Sequence, residues 1–223
     1  MYFNLLTTLL NENLNGEYKH SSTQINAPND VAEKVLKYSM AIPDSDIFND
    51  PEDPSMGREL ESHITILYGL HTKDYKDIVK LIGSEVKEIS VVLGETSLFE
   101  AKDTNYEVLK ISVVSKTLNE LHNIFSTLPN EDKHPEYQPH LTIAYLKKGA
   151  GKRYAGDKTF DGIKFTCNSI QFKSSNGDSN KIELGKKVEE TKLKDFLDNE
   201  KPVENETSEI LKSNPLQSWA TWQ

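Results

Sequence analysis

The sequence predicts an α+β domain built as two pseudo-symmetric lobes of antiparallel sheet, with flanking helices around a central cleft. Three observations predict it. Strand-like alternation and helix-like periodicity succeed each other from Glu61 to Leu184. The strand His63-Ile-Thr65-Ile-Leu-Tyr68 is written a second time as His140-Leu-Thr142-Ile-Ala-Tyr145. The two copies lie 77 residues apart in similar strand and helix surroundings, as duplicated halves about a pseudo-twofold axis require. The 223 residues, 36% of them apolar, are enough for one well-buried domain with appendages.

Taken in order, Phe3, Leu6, Leu10 and Leu14 recur at helical spacing and predict an N-terminal helical appendage over residues 1–18. The domain itself is expected to span 19–186. It opens with a short strand at Thr23 to Asn26 and a helix from Asn29 to Met40 that buries Val31, Val35 and Leu36. Three prolines and five acids between Ile42 and Gly57 make that stretch a loop, long enough to be a lid or binding loop. HITILYGL is the next strand and DYKDIVKLIG the next helix. ISVVLGET and EVLKISVVS are strands flanking a turn near Lys102 to Asn105. TLNELHNIFSTL is a helix with Leu118, Leu121, Phe125 and Leu128 on one face, and PHLTIAYLK is a strand. A Gly/Lys loop and β-rich segments around Lys164, Ile170 and Lys181 close the domain near Gly185. Residues 189–209 hold eight acids and three lysines, so 187–223 reads as an acidic tail or appended helix. Its end, NPLQSWATWQ, with Trp219 and Trp222, is a strapped-down or disordered terminus, or else a docking peptide for a partner.

Charge and composition narrow the function. A net charge of −9 disfavours coating of duplex nucleic acid, while a local basic patch can still grip a small anion. A lone cysteine, Cys167, allows no intrachain disulfide and no cysteine-based zinc knuckle. No apolar run reaches membrane-spanning length, and the opening MYFNLLTTLL lacks the features of a signal peptide, so a cytoplasmic protein without membrane contact is expected.

The repeated motif carries the chemistry. In a strand, His63 and Thr65 share one face while Ile64 and Ile66 point to the apolar layer; His140 and Thr142 do the same over Leu141 and Ile143. Accident produces a histidine with such flanks well under about one time in a hundred, so two among six histidines is a signal. Two imidazoles and two hydroxyls suit metal-free phosphodiester cleavage. One histidine accepts the nucleophile's proton, the other donates to the departing oxygen, and the hydroxyls hold the non-bridging oxygens. Tyr68 and Tyr145, five residues beyond their histidines, fall on the opposite face and are expected in the core unless a bulge intervenes. His122 is expected to be partly exposed helix filler.

Paired motifs of this kind resemble the two-histidine (2H) phosphoesterase superfamily, which includes the LigT-like RNA phosphodiesterases. DPEDPSMGRE, SHITILYGL and HPEYQPHLTIAYLKKGAGKRYAG further resemble the phage anti-CBASS protein 1 family, whose members degrade cyclic oligonucleotide messengers of a bacterial antiviral system. The resemblance runs from about Ser22 to Asp178 and implies that His63, Thr65, His140 and Thr142 are the catalytic quartet. It also implies a cyclic di- or trinucleotide substrate, no cofactor, and a place in the host bacterial cytoplasm. The alternatives are a LigT-like 2′,3′-cyclic phosphodiesterase acting on RNA ends and a module that sequesters nucleotides without cutting them.

Substrate contacts are expected from the basic island between Lys147 and Lys164, six bases against Asp157 and Asp161. Within it stand Lys152, Arg153 and Tyr154, the last able to stack on a base. Arg58, the other of the chain's two arginines, precedes His63 by five residues, and its guanidinium suits phosphate. The alternative for both arginines is a solvated loop charge. Tyr137 is either a base-stacking residue or a loop brace, and His134 is a further candidate for the cleft wall. No metal site is expected: Asp44, Asp46, Asp50 and Asp53 imitate the start of a calcium loop, but Phe48 takes a ligand position and the required glycine is missing.

Overall fold

The structure, a computed structural model, describes residues 19–50, 53, 56–100, 104–132 and 136–186. The expected helix at 1–18, the acidic tail with Trp219 and Trp222, residues 102–103 of the turn expected near Lys102 to Asn105, and His134 lie outside the described residues. The chain divides into two units, Met1–Lys187 and Val188–Gln223, and every described strand and helix belongs to the first.

Eight strands and three helices are described: β1 (Ser21–Asn26), α1 (Asn29–Ala41), β2 (His63–Leu70), α2 (Tyr75–Ile82), β3 (Ile89–Glu100), β4 (Tyr106–Val114), α3 (Lys116–Phe125), β5 (His140–Lys147), β6 (Lys164–Cys167), β7 (Ser169–Lys173) and β8 (Ser179–Glu183). They form two four-stranded antiparallel sheets, ordered β2-β1-β7-β8 and β5-β4-β3-β6. The sheets match position for position, with the histidine strands β2 and β5 at equivalent edges. The last hairpin, β7–β8, returns to complete the first sheet, so the lobes are not consecutive halves of the chain.

Local sequence starts and stops the helices. The Asp74 side chain accepts from Lys76 N at the head of α2, and Gly83, at φ +62°, ends it. The Ser115 hydroxyl accepts from Leu118 N at the head of α3. Helix α3 buries Leu118, Leu121 and Phe125 as its periodicity predicts. Helix α1 buries Val31, Val35 and Ser39, while Leu36 is only half-buried.

The packing is crosswise. Helix α1, which leads into β2, packs on β5; α3, which leads towards β5, packs on β2. The strand edges are covered the same way. The segment before β2 runs along the open edge of β5, with Phe48 N bonding Tyr145 O, Tyr145 N bonding Gly57 O and Lys147 N bonding Asp46 O. The segment before β5 runs along β2, with Glu131 N bonding Gly69 O and His71 N bonding Pro129 O. Gly69 is required there: its φ is +94°, and a Cβ would stand 3.1 Å from Glu131 N. The loop expected as a lid is therefore fastened at both ends as an edge cover, which satisfies backbone groups that an edge strand leaves bare.

Candidate active site

Strands β2 and β5 lie against one another where the two sheets meet. On each, the apolar side chains anchor the strand: Ile64, Ile66, Leu141 and Ile143 are fully buried, while His63, Thr65, His140 and Thr142 are half-buried on the opposite face. The alternation predicted for this motif is what turns both pairs away from the buried apolar layer, on two strands that contact one another.

Both imidazoles are held in one manner. His63 Nδ1 donates to Glu61 O at 2.7 Å, and His140 Nδ1 donates to Gln138 O at 2.8 Å. A carbonyl can only accept, so the neutral ring carries its proton on Nδ1 and Nε2 is the basic nitrogen in both. Either ring can thus take or give a proton through the same atom.

Each motif strand bulges at its fourth residue. Thr23 pairs with Leu67 and Gln24 with Thr65, leaving Ile66 unmatched; Leu109 pairs with Ala144 and Lys110 with Thr142, leaving Ile143 unmatched. A bulge shifts the alternation by one, so Leu67 and Ala144 are buried and the tyrosines turn to the histidine face. This corrects the expectation of two core tyrosines. Tyr68 is 56% exposed, with its ring edge against His20, and Tyr145 is half-buried against Tyr106.

Side chains from the opposite lobe seize the carbonyls at these bulges. Tyr137 Oη donates to Thr65 O at 2.8 Å and His122 Nδ1 donates to Ile66 O at 2.8 Å, the two rings stacked at 4.2 Å and 4°. On the other strand, Ser39 Oγ and Glu59 N donate to Ile143 O at 3.2 and 3.0 Å. Tyr137 is therefore a brace between lobes, its ring already stacked on a histidine, and burial pushes its phenol well above the ordinary value, so the donor stays protonated. His122 is likewise no filler: its side chain is 12% exposed and its Nε2 lies 3.8 Å from Asp132 Oδ2.

The walls differ in charge. Beside His63, Glu61 pairs with Lys173 at 2.5 Å and accepts from Gln24 Nε2 at 3.2 Å. Beside His140, the Phe99 ring packs at right angles with centroids 4.8 Å apart, and Lys110 Nζ lies 4.1 Å from the centre of that same ring.

Other expected substrate contacts are engaged elsewhere. Arg58 donates to the carbonyls of Ser39 and Ile42 at the end of α1 and pairs with Asp44, and its side chain is only 15% exposed. The basic island begins at Lys147, seven residues beyond His140 and so roughly 20 Å along the strand. There Arg153 and Tyr154 both bond Asp46 Oδ2, with the Tyr154 hydroxyl, the Arg153 charge and Ser45 holding that carboxyl below its ordinary value. Lys152 is exposed on a 3-10 turn, Gly151–Arg153. The glycine amides of this loop are occupied too: Gly149 N and Gly151 N donate to the buried Glu107 carboxylate, both at 2.9 Å. Asp44 and Asp46 thus each face an arginine, and no cluster of three metal-ligating side chains occurs among the described residues.

Near the motif, Ser39 and Lys110 went unread in the sequence and His122 was misread. A signal existed for the last two. His122 lies four residues after Leu118 and three before Phe125, within the buried stripe, and Lys110 stands mid-strand between the fully buried Leu109 and Ile111.

The sequence profile of the 2'-5' RNA ligase superfamily matches residues 49–179. No curated protein matches the chain by sequence. Among solved structures, Usb1 of Kluyveromyces marxianus with uridine monophosphate is 13% identical, with 74% of this chain and 99% of that one covered and a TM-score of 0.48. TT0787 of Thermus thermophilus gives 14%, 74%, 98% and 0.49, and E. coli LigT complexed with NADP+ gives 13%, 75%, 98% and 0.48.

Proposed function

Given that the chain belongs to the 2'-5' RNA ligase superfamily, the 2H phosphoesterases, we propose that it is a metal-independent phosphodiesterase that opens the 3′-5′ linkages of cyclic di- or trinucleotides. The observation that carries the reading is the matched pair of imidazoles, each with Nδ1–H tied to a carbonyl two residues back. Nε2 of one ring removes the proton from a ribose 2′-hydroxyl, whose oxygen attacks the adjacent phosphorus. The bond to the 5′-oxygen breaks as Nε2–H of the other ring protonates that oxygen. A 2′,3′-cyclic phosphate results, and water opens it to a terminal phosphate with the two rings exchanging roles. Thr65 and Thr142 donate to the non-bridging oxygens as negative charge accumulates at phosphorus.

The cyclic messenger as substrate rests on the likeness of the motif-flanking stretches to the phage anti-CBASS proteins, and with it the role of evading a bacterial defence. Lys152, on the 3-10 turn beyond β5, serves in this reading the outer portion of an extended ligand rather than the scissile phosphate.

The test is a panel of cyclic oligonucleotides, with a linear RNA ending in a 2′,3′-cyclic phosphate beside them, incubated with the protein in excess EDTA and resolved by mass. Linearisation of a ring to 2′,3′-cyclic-phosphate or 3′-phosphate ends is expected. Turnover of the linear RNA alone would establish the RNA-end reading instead, and recovery of every bound ring intact would establish sequestration. His63→Ala and His140→Ala should each lose about 10²- to 10⁴-fold in rate while remaining folded; undiminished turnover in either refutes the chemistry.

A further inference from the structure

The pseudo-twofold relation that equates β2 with β5 also equates the residues beside them. Gln24 stands opposite Thr65 on β1, and Lys110 stands opposite Thr142 on β4, so both share the face of the histidines. The equivalence ends at their chemistry. The Gln24 amide is spent within its own lobe, on Asn26 Oδ1 at 2.8 Å and Glu61 Oε1 at 3.2 Å. Lys110 is 7% exposed, and among the described residues no carboxylate lies within ion-pairing distance of its ammonium. By register Lys173, Lys181 and Lys164 share these faces too, but Lys173 is neutralised by Glu61 and Lys181 by Glu183, and Lys164 stands exposed on β6, at the edge of its sheet farthest from β5.

A buried lysine without an acid is an unfavourable arrangement that a strand interior does not require. Leu109 and Ile111 on either side point into the core from the other face, so the core does not depend on Lys110. The cation–π contact with Phe99 offsets part of the loss of hydration. It also sets the position of the charge: the ring whose centre lies 4.1 Å from the ammonium is the ring packed at right angles to the His140 imidazole, centroids 4.8 Å apart. A cation thus sits beside one histidine and one threonine of the quartet, and nothing comparable stands beside the other pair among the described residues.

We propose that Lys110 is a further catalytic residue, its ammonium contacting a non-bridging phosphoryl oxygen on the Thr142 side of the cleft. The assignment rests on the phosphodiesterase reading for its role in turnover, but not for the binding of phosphate. In the attack step the oxygen gains negative charge, and an ammonium held by Phe99 at reduced hydration meets it without having to shed water at that moment. The quartet then divides its labour: the Thr65 side contributes a neutral hydroxyl, the Thr142 side a hydroxyl with a cation.

Lys110→Met keeps the stem's volume and removes the charge, and Lys110→Arg keeps a charge. The first measurement is binding of inorganic phosphate to the full chain by calorimetry, with unfolding midpoints alongside. Wild type is expected to bind, Lys110→Met to bind at least about tenfold more weakly with an unchanged or raised midpoint, and Lys110→Arg to retain most of the affinity. The exposed Lys80→Met, on helix α2, should bind as wild type. Turnover by Lys110→Met should fall about 10²-fold with a smaller change in KM, the loss typical of a removed oxyanion donor. Equal phosphate affinity in wild type and Lys110→Met overturns the proposal, as does a wild type that does not bind phosphate. If Lys110→Met fails to fold, the Arg variant decides: a folded Lys110→Arg that no longer binds phosphate also overturns it. A wild type that binds phosphate through Lys110 yet cleaves no substrate leaves this site standing and removes the phosphodiesterase reading alone.

Discussion

Replacing Tyr137 by phenylalanine removes one oxygen atom and nothing else, because the ring stays stacked on His122 and no cavity opens. The lost bond, 2.8 Å from Tyr137 Oη to Thr65 O, joins the segment before β5 to the middle of β2. A neutral buried hydrogen bond contributes about 1 kcal/mol net, and leaving an acceptor short of a donor costs about 1–3 kcal/mol. A loss near 1.5 kcal/mol, divided by a urea dependence of about 2 kcal/mol per molar, moves the unfolding midpoint down by roughly 0.7 M. Rate should suffer more than affinity. Thr65 and His63 ride the strand that this bond positions against His140, and a displacement approaching 1 Å at a reacting group can cost about 10²-fold. The expected outcome is a kcat lowered between about 10- and 100-fold with KM nearly unchanged. His122→Phe should behave alike, and the double variant should lose less than the sum, since the rings act as one unit. A Tyr137→Phe protein with the wild-type midpoint and the wild-type kcat would refute the idea that this pair holds the lobes in register.

Arg58→Met should destabilise the protein by about 1.5–3 kcal/mol, the range for hydrogen bonds to a charged group, because it removes the guanidinium donor of Ile42 O and leaves Ser39 O with Ile42 N alone; urea titration checks this, and KM should not move. Gly69→Ala should cost more than about 1 kcal/mol, read as a lowered thermal midpoint, since an alanine at φ +94° is strained before its methyl meets Glu131 N. The Asp46 carboxyl titrates below its ordinary 3.8 through the Tyr154 hydroxyl and then the Arg153 charge. A carboxyl depressed on folding stabilises the native state above its unfolded pKa and stops doing so as the pH falls through the folded one. The gap in urea midpoint between wild type and Asp46→Asn should therefore be present at pH 7 and close on acidification below about pH 3.8; a gap that widens in acid contradicts the assignment.

The motif was legible because strand alternation is a property of a few adjacent residues. That rule alone assigns Ile64, Ile66, Leu141 and Ile143 to the core and sends both histidines and threonines the other way. The tyrosines show where it stops. Whether a strand bulges is decided by its partner and by groups that satisfy the released carbonyl, and those groups, His122, Tyr137 and Ser39, come from 56 to 104 residues away. Arg58 misled for a related reason. A guanidinium near a motif suits phosphate, but the end of α1 offers unsatisfied carbonyls closer at hand, and they claim it. The basic island is real as a count, yet Lys147, Lys148 and Arg153 are engaged by the carbonyls of Ser45 and Thr104 and by Asp46. Linear charge density says nothing about which charges remain for a ligand. Return of β7–β8 to the first sheet was equally invisible, since their sequences name a strand and not a neighbour.

The crosswise covering of the two strand edges has a mechanical corollary. Each lobe wears a strap supplied by the other, so prising them apart would strip two rows of backbone amides and carbonyls at once and unseat the bulge clamps with them. Such a molecule has no inexpensive open form to breathe into. The two strands should therefore open together rather than singly, and hydrogen exchange along β2 and β5 should report a single melting event for the pair.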